Sequence, residues 1–270
     1  KECLIPAAQI IRVARAMGKA APKTAVWMGP GAAMWPRGTY AAMAVYALNG
    51  MLGSIDVEGG VWEGPSGPPL GRFPSTDKFA DALAKKGYAN HATSNRGHKD
   101  MPGLMTSSIN NVPNELLKNP GAIKVVLSSW SNFNFSGTGA DRWNQAMAKV
   151  PFFAHMVTNA SEMTQFADIV LPATHNTSEG WSIVTNMANG FAYASIQQNP
   201  IKRVFDVKQE ETEVMWLLAQ KLKAKGFPNL ADYYDQIKDP ETGKSATNEL
   251  EFSEFAAKVT SAPIWMAKEP

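Results

Sequence analysis

The sequence predicts an α/β fold in which helices cover both faces of a mostly parallel β-sheet. Short apolar runs alternate with segments whose apolar residues recur at helical spacing, and this alternation is typical of parallel sheets. The apolar fraction of 44% and the charged fraction of 19% indicate a packed globular protein rather than a disordered one. Residues 59–113 interrupt the pattern with many Gly, Pro, Ser and Asn residues, so we expect a long irregular excursion on the surface.

Before the excursion, the sequence predicts one strand between two helices. Residues 7–17 carry apolar side chains at helical spacing, and the short apolar run 24–28 is assigned to a buried strand. The Gly-Pro-Gly tripeptide at 29–31 indicates a turn after this strand. A second helix is predicted over residues 38–51, and a glycine ends it. Together these elements make a strand, a glycine loop and a helix in series.

One short helix is predicted within the excursion, and from residue 123 onward strands again alternate with helices. The predicted strands are residues 123–127, 152–157 and 168–172, and the predicted helices are residues 78–86, 141–149, 161–166 and 210–225. The apolar side chains expected to be buried on two of these helices are Trp143, Ala146 and Met147 on one, and Val214, Leu217, Leu218 and Leu222 on the other. Residues 1–226 are therefore predicted to form one Rossmann-like domain, and residues 227–270 an irregular tail with local helix.

Composition argues against several classes of function. The net charge of +2 gives no electrostatic reason to expect nucleic-acid binding. No apolar run reaches the roughly 20 residues that span a bilayer, and the first residues do not resemble a signal peptide. A single cysteine, Cys3, excludes an internal disulfide framework and a cage of cysteines around a metal. Because the sequence does not begin with Met, we expect it to be part of a longer protein.

The histidines do not have the spacing of a metal site. His91 and His98 lie in the polar excursion, and His155 lies in a predicted strand, where a hydrogen-bonded core histidine is the expected role. His175 follows the last predicted strand and is the one histidine we expect near a pocket. The carboxylates Asp232 and Asp235 lie in the predicted tail and are assigned no catalytic role.

Three polar loops follow predicted strands and are the candidate binding loops, because ligands of parallel sheets bind beyond the carboxyl ends of the strands. In the first loop, residues 29–38, glycines let a backbone approach a ligand and amides bind an anion, or they simply form a tight turn. In the second, residues 128–139, Ser and Asn side chains bind a purine edge or a phosphate, or cap a helix. In the third, residues 158–164, Asn159 accepts hydrogen bonds from a guanine, or caps the next helix.

Four segments resemble, in the same order, the sequence patterns of one family. Residues 165–173 (QFADIVLPA) resemble the end of T-E-T-A-x-x-A-D-V-V-L-P, and residues 179–186 resemble E-x-x-G-T-x-x-N. Residues 48–61 resemble L-x-x-L-T-G-N-I-G-x-P-G-G, and residues 123–134 resemble I-K-A-L-x-x-x-G-x-N-P. These are patterns of molybdopterin oxidoreductases of the dimethyl sulfoxide reductase type. There are departures: Val157 stands where the family has Asp, Met163 replaces a Thr, and the second loop lacks the Gly and Pro of G-x-N-P.

The resemblance implies a cofactor and a place in a larger enzyme. Catalytic subunits of this family wrap four domains around two pyranopterin guanine dinucleotides that ligate one molybdenum or tungsten ion. This sequence would be one of the two α/β domains that hold molybdopterin guanine dinucleotide, with no catalytic residue of its own and no ligand to the metal. The residues expected to contact the cofactor are Gly29, Gly31, Arg37, Ser129, Trp130, Ser131, Asn132, Asn134, Thr158, Asn159, Ser161 and His175.

The same resemblance implies partners and leaves the substrate open. The iron–sulfur cysteines of the family, the protein ligand of the metal and the C-terminal capping domain are not identifiable in this sequence, so we expect it to be inactive alone. The expected partners are the remaining domains of the parent protein and an iron–sulfur electron-transfer subunit, in a periplasmic or membrane-associated complex. Residues 189–200 and the tail resemble thiosulfate and polysulfide reductase-type subunits, and this resemblance implies an anaerobic respiratory reductase of a sulfur oxyanion. Formate dehydrogenase, arsenate reductase and tetrathionate reductase relatives are the alternatives.

Two other functions remain as alternatives. A nicotinamide-dependent Rossmann oxidoreductase is disfavoured because the G-x-G-x-x-G fingerprint and its ribose-binding acid are missing. A stand-alone nucleotide-binding or interaction module fits the lack of a catalytic constellation, but it does not explain why four motifs match one family in order.

Overall fold

A computed structural model describes residues 4–33, 38–62, 68–89, 112–137, 139–175, 179–188 and 191–266. The chain divides into two compact units. Unit 1 comprises Lys1–Pro68 and Thr185–Tyr193, and unit 2 comprises Pro69–Val184 and Ala194–Pro270.

Unit 1 is built mainly from helices. They are α1 (Ala7–Ala20), α2 (Pro30–Ala33) and α3 (Gly38–Met51). The predicted helices at 7–17 and 38–51 are confirmed, and Gly53, with a φ of 65°, follows α3 in the left-handed conformation that commonly ends a helix. None of the described side chains of α1 is buried, and Asn49 is the one buried side chain described in α3.

The predicted strand at residues 24–28 is wrong. The segment is extended but belongs to no sheet. Its backbone pairs instead with one side chain: Val26 N donates to Asn49 Oδ1, and Asn49 Nδ2 donates to Val26 O, each at 2.8 Å. Because the amide of Asn49 supplies both a donor and an acceptor, it satisfies the backbone groups that a neighbouring strand would otherwise pair. The apolar run in the sequence does not distinguish these two outcomes.

Unit 2 contains the parallel sheet. Its strands β1 (Val125–Ser129), β2 (Phe152–Val157) and β3 (Ile169–Pro172) lie side by side in that order, with Ser128 opposite His155 and His155 opposite Val170. All three strands were predicted, the first with bounds two residues too early. The α/β class and the parallel sheet are confirmed.

One face of this sheet carries the core. On that face Phe153 packs with Trp143 and Met147 of α7 (Ala140–Met147) and with Met163 of a 3₁₀ helix (Glu162–Phe166). The inward positions predicted for α7 are confirmed, since Trp143, Ala146 and Met147 are buried. Side chains alternate between the two faces of a strand, and on the opposite face Val125 and Leu127 of β1 are exposed. Helices therefore cover that second face incompletely.

The segments that flank the sheet hold more regular structure than the sequence predicts. The further elements are α4 (Ala82–Ala89), α5 (Val112–Lys118), α6 (Phe133–Ser136), a two-stranded sheet of β4 (Ser182–Ala188) and β5 (Phe191–Gln197), a π-helix (Glu210–Val214), α8 (Met215–Ala224), α9 (Asn229–Tyr234) and α10 (Glu249–Trp265). The helix predicted at 78–86 begins only at Ala82 because the carboxylate of Asp81 accepts a hydrogen bond from Ala84 N and caps it. The rest of the predicted excursion, residues 90–111, lies outside the described residues.

The helix predicted at 210–225 is confirmed, but its predicted buried side and the regularity of the segment after it differ from expectation. The segment 210–225 begins as a π-helix, and its buried positions are Glu213 and Ala219, whereas the four predicted apolar residues are only half-buried. The segment 227–270, predicted to be irregular with local helix, contains α9 and the 17-residue helix α10. Asn248 caps that helix by accepting hydrogen bonds from Leu250 N and Glu251 N.

Candidate functional site

The loops that follow β1 and β2 leave the same edge of the sheet and are joined by one side chain. Asn132 in the first loop donates from Nδ2 to Glu162 Oε2 at 2.6 Å, and its Oδ1 accepts from Met163 N at 3.2 Å. The hydrogen bond from Asn132 holds the pKa of the Glu162 carboxyl below its ordinary value, so the acceptor stays ionised. Asn132, predicted to contact a cofactor, therefore fixes one binding loop against the other.

The loop after β1, residues 128–136, is stabilised by hydrogen bonds between its own residues. Ser131 Oγ donates to Ser129 O at 3.1 Å, and Ser136 Oγ donates to Asn132 O at 2.9 Å. Asn134 is buried, and its Nδ2 donates to Asn144 Oδ1 of α7 at 2.6 Å. For Asn134 the structure favours the structural alternative, because its amide ties α6 to α7 rather than reaching solvent.

The loop after β2, residues 158–161, has exposed polar side chains and precedes the 3₁₀ helix. Thr158 and Asn159 are exposed. Ser161 forms a capping box with Thr164, whose Oγ1 accepts from Ser161 N at 2.9 Å. Ser161 thus has the capping role that the sequence left open, while Thr158 and Asn159 stay accessible to a ligand at the edge of the sheet.

A cavity of about 260 Å³ opens beside the loop after β1, between α5, β1 and α7. Its polar lining is Ser128, Ser129 and Ser131, and the rest of the lining is apolar, including Leu116 and Trp143. Pockets for drug-sized ligands measure about 300 to 1,000 Å³. This cavity therefore suits one ring system or one phosphate rather than a whole dinucleotide.

Three buried polar side chains near this edge have no hydrogen-bond partner among the described residues. They are Ser128 in β1, His155 in β2 and Thr174 just after β3. Buried polar groups are nearly always paired, so each such group calls for an explanation, such as a ligand or water. His155 is buried in the core, as predicted, and it interacts with the Ser128 backbone, but neither ring nitrogen makes a hydrogen bond of good geometry in the described part of the chain.

The burial of His155 also sets its charge. Desolvation lowers the pKa of the imidazole from its ordinary value, and the nearby Ser128 backbone offsets this only in part. The ring lies 5.4 Å from the Phe153 ring, between centroids. His155 is therefore neutral at pH 7 and offers one donor and one acceptor to a partner.

The segment that follows β3 is held by an ion pair that the sequence did not predict. Arg203 donates to both carboxylate oxygens of Glu213 at 2.6 Å, and Glu213 is 1% exposed. Arg203 Nε also donates to Glu179 O, and Glu179 Oε2 accepts from His175 N at 2.7 Å. His175, predicted near the pocket, is exposed at this position. The helical spacing could have indicated that Glu213 is buried, because Glu213 lies four residues before Leu217 and so on the same face as the apolar residues of its helix.

The first predicted loop, with Gly29 and Gly31, lies in unit 1 and does not follow a strand of the sheet. A Cβ added at either glycine would meet no atom within 4 Å, so packing among the described residues does not require glycine there. Arg37 lies outside the described residues.

A larger groove of about 580 Å³ lies within unit 1, between α1 and α3. Its lining is apolar apart from Gln9, with Ile10, Val13 and Met51 among the contributors. Nucleotide sites need several polar groups to fix orientation, so the edge of the unit 2 sheet is the better candidate.

Among the described residues, no three side chains of His, Cys, Asp or Glu come together as a metal site. Within the same part of the chain, no helix has the length and apolar character needed to cross a bilayer.

Comparison with known proteins agrees with the sequence motifs. The chain is 47% identical over 273 residues to ArrA, the molybdopterin-containing subunit of the arsenate respiratory reductase of Chrysiogenes arsenatis, a match covering 98% of the chain and 32% of that protein. It is 40% identical to ArrA from Shewanella sp. strain ANA-3, over 95% of the chain and 31% of that protein. The chain is a relative of molybdopterin oxidoreductases. The predicted resemblance is thereby confirmed.

A third relative is more distant. A protein of the tetrathionate reductase of Salmonella typhimurium is 24% identical, over 100% of the chain and 29% of that protein. No family model matches the chain. The chain spans about a third of the length of the curated relatives it matches.

Proposed function

We propose that this chain is the cofactor-binding part of a respiratory molybdopterin oxidoreductase, and that unit 2 holds the guanine nucleotide end of molybdopterin guanine dinucleotide. The observation that supports this most strongly is the pair of joined loops at the carboxyl edge of the parallel sheet, beside buried polar groups that have no partner among the described residues. This edge is where parallel sheets bind nucleotides.

The donor set at the edge fits a guanine nucleotide. Ser128, Ser129 and Ser131 line the cavity with hydroxyl groups that both donate and accept hydrogen bonds. Asn159 offers a carbonyl oxygen for the donors of a guanine, and it is exposed. Val157 stands where the family pattern has Asp, so the proposal assigns the guanine contact to Asn159 rather than to a carboxylate.

When bound, the cofactor supplies the redox chemistry, and this chain supplies binding and orientation. The proposal assigns no catalytic residue to the chain and expects no turnover from it alone. The remaining domains of the parent protein and an iron–sulfur electron-transfer subunit are its proposed partners.

Arsenate is the proposed substrate of the whole enzyme. The two relatives at 47% and 40% identity are named as arsenate reductase subunits, whereas the tetrathionate reductase relative is 24% identical. Arsenate therefore replaces the sulfur oxyanion expected from the sequence motifs, and tetrathionate is the second candidate. Arsenate reduction by the whole enzyme, with tetrathionate as the competing substrate, is the test.

Calorimetric titration of the chain with GDP, with NAD as control, tests the cofactor proposal. We expect selective binding of GDP, because no G-x-G-x-x-G loop is available for NAD. Asn159→Ala should weaken GDP binding by about three- to tenfold, the effect of one lost hydrogen bond. Asn119→Ala is the matched control, since Asn119 is also exposed in unit 2 but precedes β1. Binding of NAD in preference to GDP, or equal effects of the two variants, would contradict the proposal.

A further inference from the structure

Trp130 has an unusual backbone conformation at the carboxyl edge of the sheet. Its φ is 55°, in the left-handed region. A bulky side chain rarely adopts a positive φ, and residues in such regions persist only where the surroundings enforce them, with a clustering at functional sites. When Asn132 is aligned with the Asn of the family pattern G-x-N-P, Trp130 occupies the position of its Gly. Glycine adopts a positive φ at no steric cost.

The surroundings of Trp130 enforce this conformation from both sides. Trp130 N donates to Met156 O of β2 at 3.1 Å, which extends the pairing of β1 and β2 by one residue. Beyond it, Ser131 Oγ donates to Ser129 O, and the Asn132 side chain makes both of its hydrogen bonds with the 3₁₀ helix, at Glu162 and Met163. The backbone at Trp130 is thus fixed between two anchors.

Packing does not account for the choice of tryptophan at this position. Trp130 remains 45% exposed, whereas Trp143 of α7 is 2% exposed. A core tryptophan stabilises the fold through the large area that it buries. A half-exposed tryptophan gains much less, and here it also carries a strained backbone. Glycine or asparagine would satisfy the conformation more easily, so the indole has another use.

We propose that Trp130 is a stacking platform for the planar base of the nucleotide that binds at this edge. Its two sequence neighbours, Ser129 and Ser131, both line the cavity beside the loop. An indole face attracts a planar heteroaromatic ring, and stacking tolerates any base because every base has a π-face. This inference rests on the proposed function: the serines and Asn159 read the guanine and its phosphates, and Trp130 supplies base affinity without selectivity.

The test uses three substitutions of Trp130 in the full chain, titrated with GDP, ADP and inorganic pyrophosphate. Trp130→Ala and Trp130→Gly should each weaken GDP and ADP binding by the same factor, about tenfold. Trp130→Phe should keep affinity within about threefold, because phenylalanine retains a π-face. Pyrophosphate binding should not change. Quenching of tryptophan fluorescence by GDP should decrease in Trp130→Phe but not in Trp62→Phe, a control at another exposed tryptophan.

A stability measurement on the same variants tests the conformation itself. Both small residues remove the indole, but only glycine relieves the positive φ, so Trp130→Gly should have the higher urea midpoint. A higher midpoint for Trp130→Ala would contradict the strained conformation.

The binding results distinguish a failure of this inference from a failure of the proposed function. If the wild-type chain binds GDP and Trp130→Ala binds it equally well, the stacking role is overturned while the proposed function stands. If Trp130→Ala loses pyrophosphate as strongly as GDP, the tryptophan shapes the loop and does not stack. If the wild-type chain binds pyrophosphate but neither GDP nor ADP, both the proposed function and this inference are overturned.

Discussion

The two units of the chain bury their apolar side chains to very different extents. In unit 2, Trp143 and Phe153 are almost completely buried against each other across the sheet and α7. In unit 1, Ile10 of α1 is 57% exposed and Met51 of α3 is 82% exposed. The described apolar core therefore lies in unit 2, whereas the helices of unit 1 present an apolar surface of the kind that meets another protein surface. We therefore expect stability to depend mainly on unit 2.

The largest effect is expected from the buried ion pair of unit 2. Arg203→Met leaves the Glu213 carboxylate buried without its cation, and this should lower the free energy of unfolding by about 3 to 5 kcal/mol. Urea denaturation followed by circular dichroism measures it. Lys223→Met is the control, because its pair with Asp232 is exposed to solvent and should contribute little to stability. Similar losses in the two variants would mean that the buried pair does not organise unit 2.

A smaller effect is expected in unit 1 from Asn49. Asn49→Ala removes both hydrogen bonds to Val26 and leaves two backbone groups unpaired, at a cost of about 1 to 3 kcal/mol. The loss should be local, so amide hydrogen exchange should speed up at residues 24–28 and not in β2. Faster exchange in β2 as well would show that the two units unfold together and would contradict a difference in stability between them.

The free energy of unfolding should also decrease as the pH is lowered, because His155 is buried. Its pKa is lowered in the folded state, so the unfolded chain takes up the proton first as the pH drops through about 6.5. Stability from this group is present above that pH and is lost below it, with a slope of at most about 1.4 kcal/mol per pH unit. His155→Leu should flatten the dependence of the urea midpoint between pH 7.5 and 5.5. An equally steep dependence in His155→Leu would contradict this role of His155.

The smallest effect on stability is expected for the exposed face of unit 1. Ile10→Asn should change the free energy of unfolding by less than about 0.5 kcal/mol, as for most surface substitutions. It should reduce self-association at high concentration, measured by sedimentation, because it interrupts the apolar groove between α1 and α3. A loss of several kcal/mol would show that unit 1 does bury Ile10 in solution.

The sequence predicted the parts of the fold that depend on local pattern. The strands of the sheet and the inward side of α7 follow from apolar periodicity, and the structure has them where expected. The pairing of residues 24–28 with Asn49 and the burial of Glu213 did not follow, because both depend on partners distant in sequence or on a single polar side chain. No local pattern shows that an apolar run will pair with an amide side chain.

For the candidate site, the sequence predicted which loops follow the strands of the sheet but not which hydrogen bonds their side chains make. Ser129, Ser131, Thr158 and Asn159 lie at one edge, as expected for residues that follow parallel strands. Asn132, Asn134 and Ser161 are engaged in holding the loops instead. Residue type does not distinguish a serine or asparagine that binds a ligand from one that caps or anchors a loop, because the same hydrogen-bonding groups do both.

Hydrogen–deuterium exchange of the chain with and without GDP tests most directly whether unit 2 holds the nucleotide. We predict slower exchange in peptides that cover residues 129–134 and 158–161, with α1 and α3 unchanged. Slower exchange confined to residues 29–33 or to the groove between α1 and α3, with the two loops of unit 2 unaffected, would contradict a nucleotide site at the edge of the sheet.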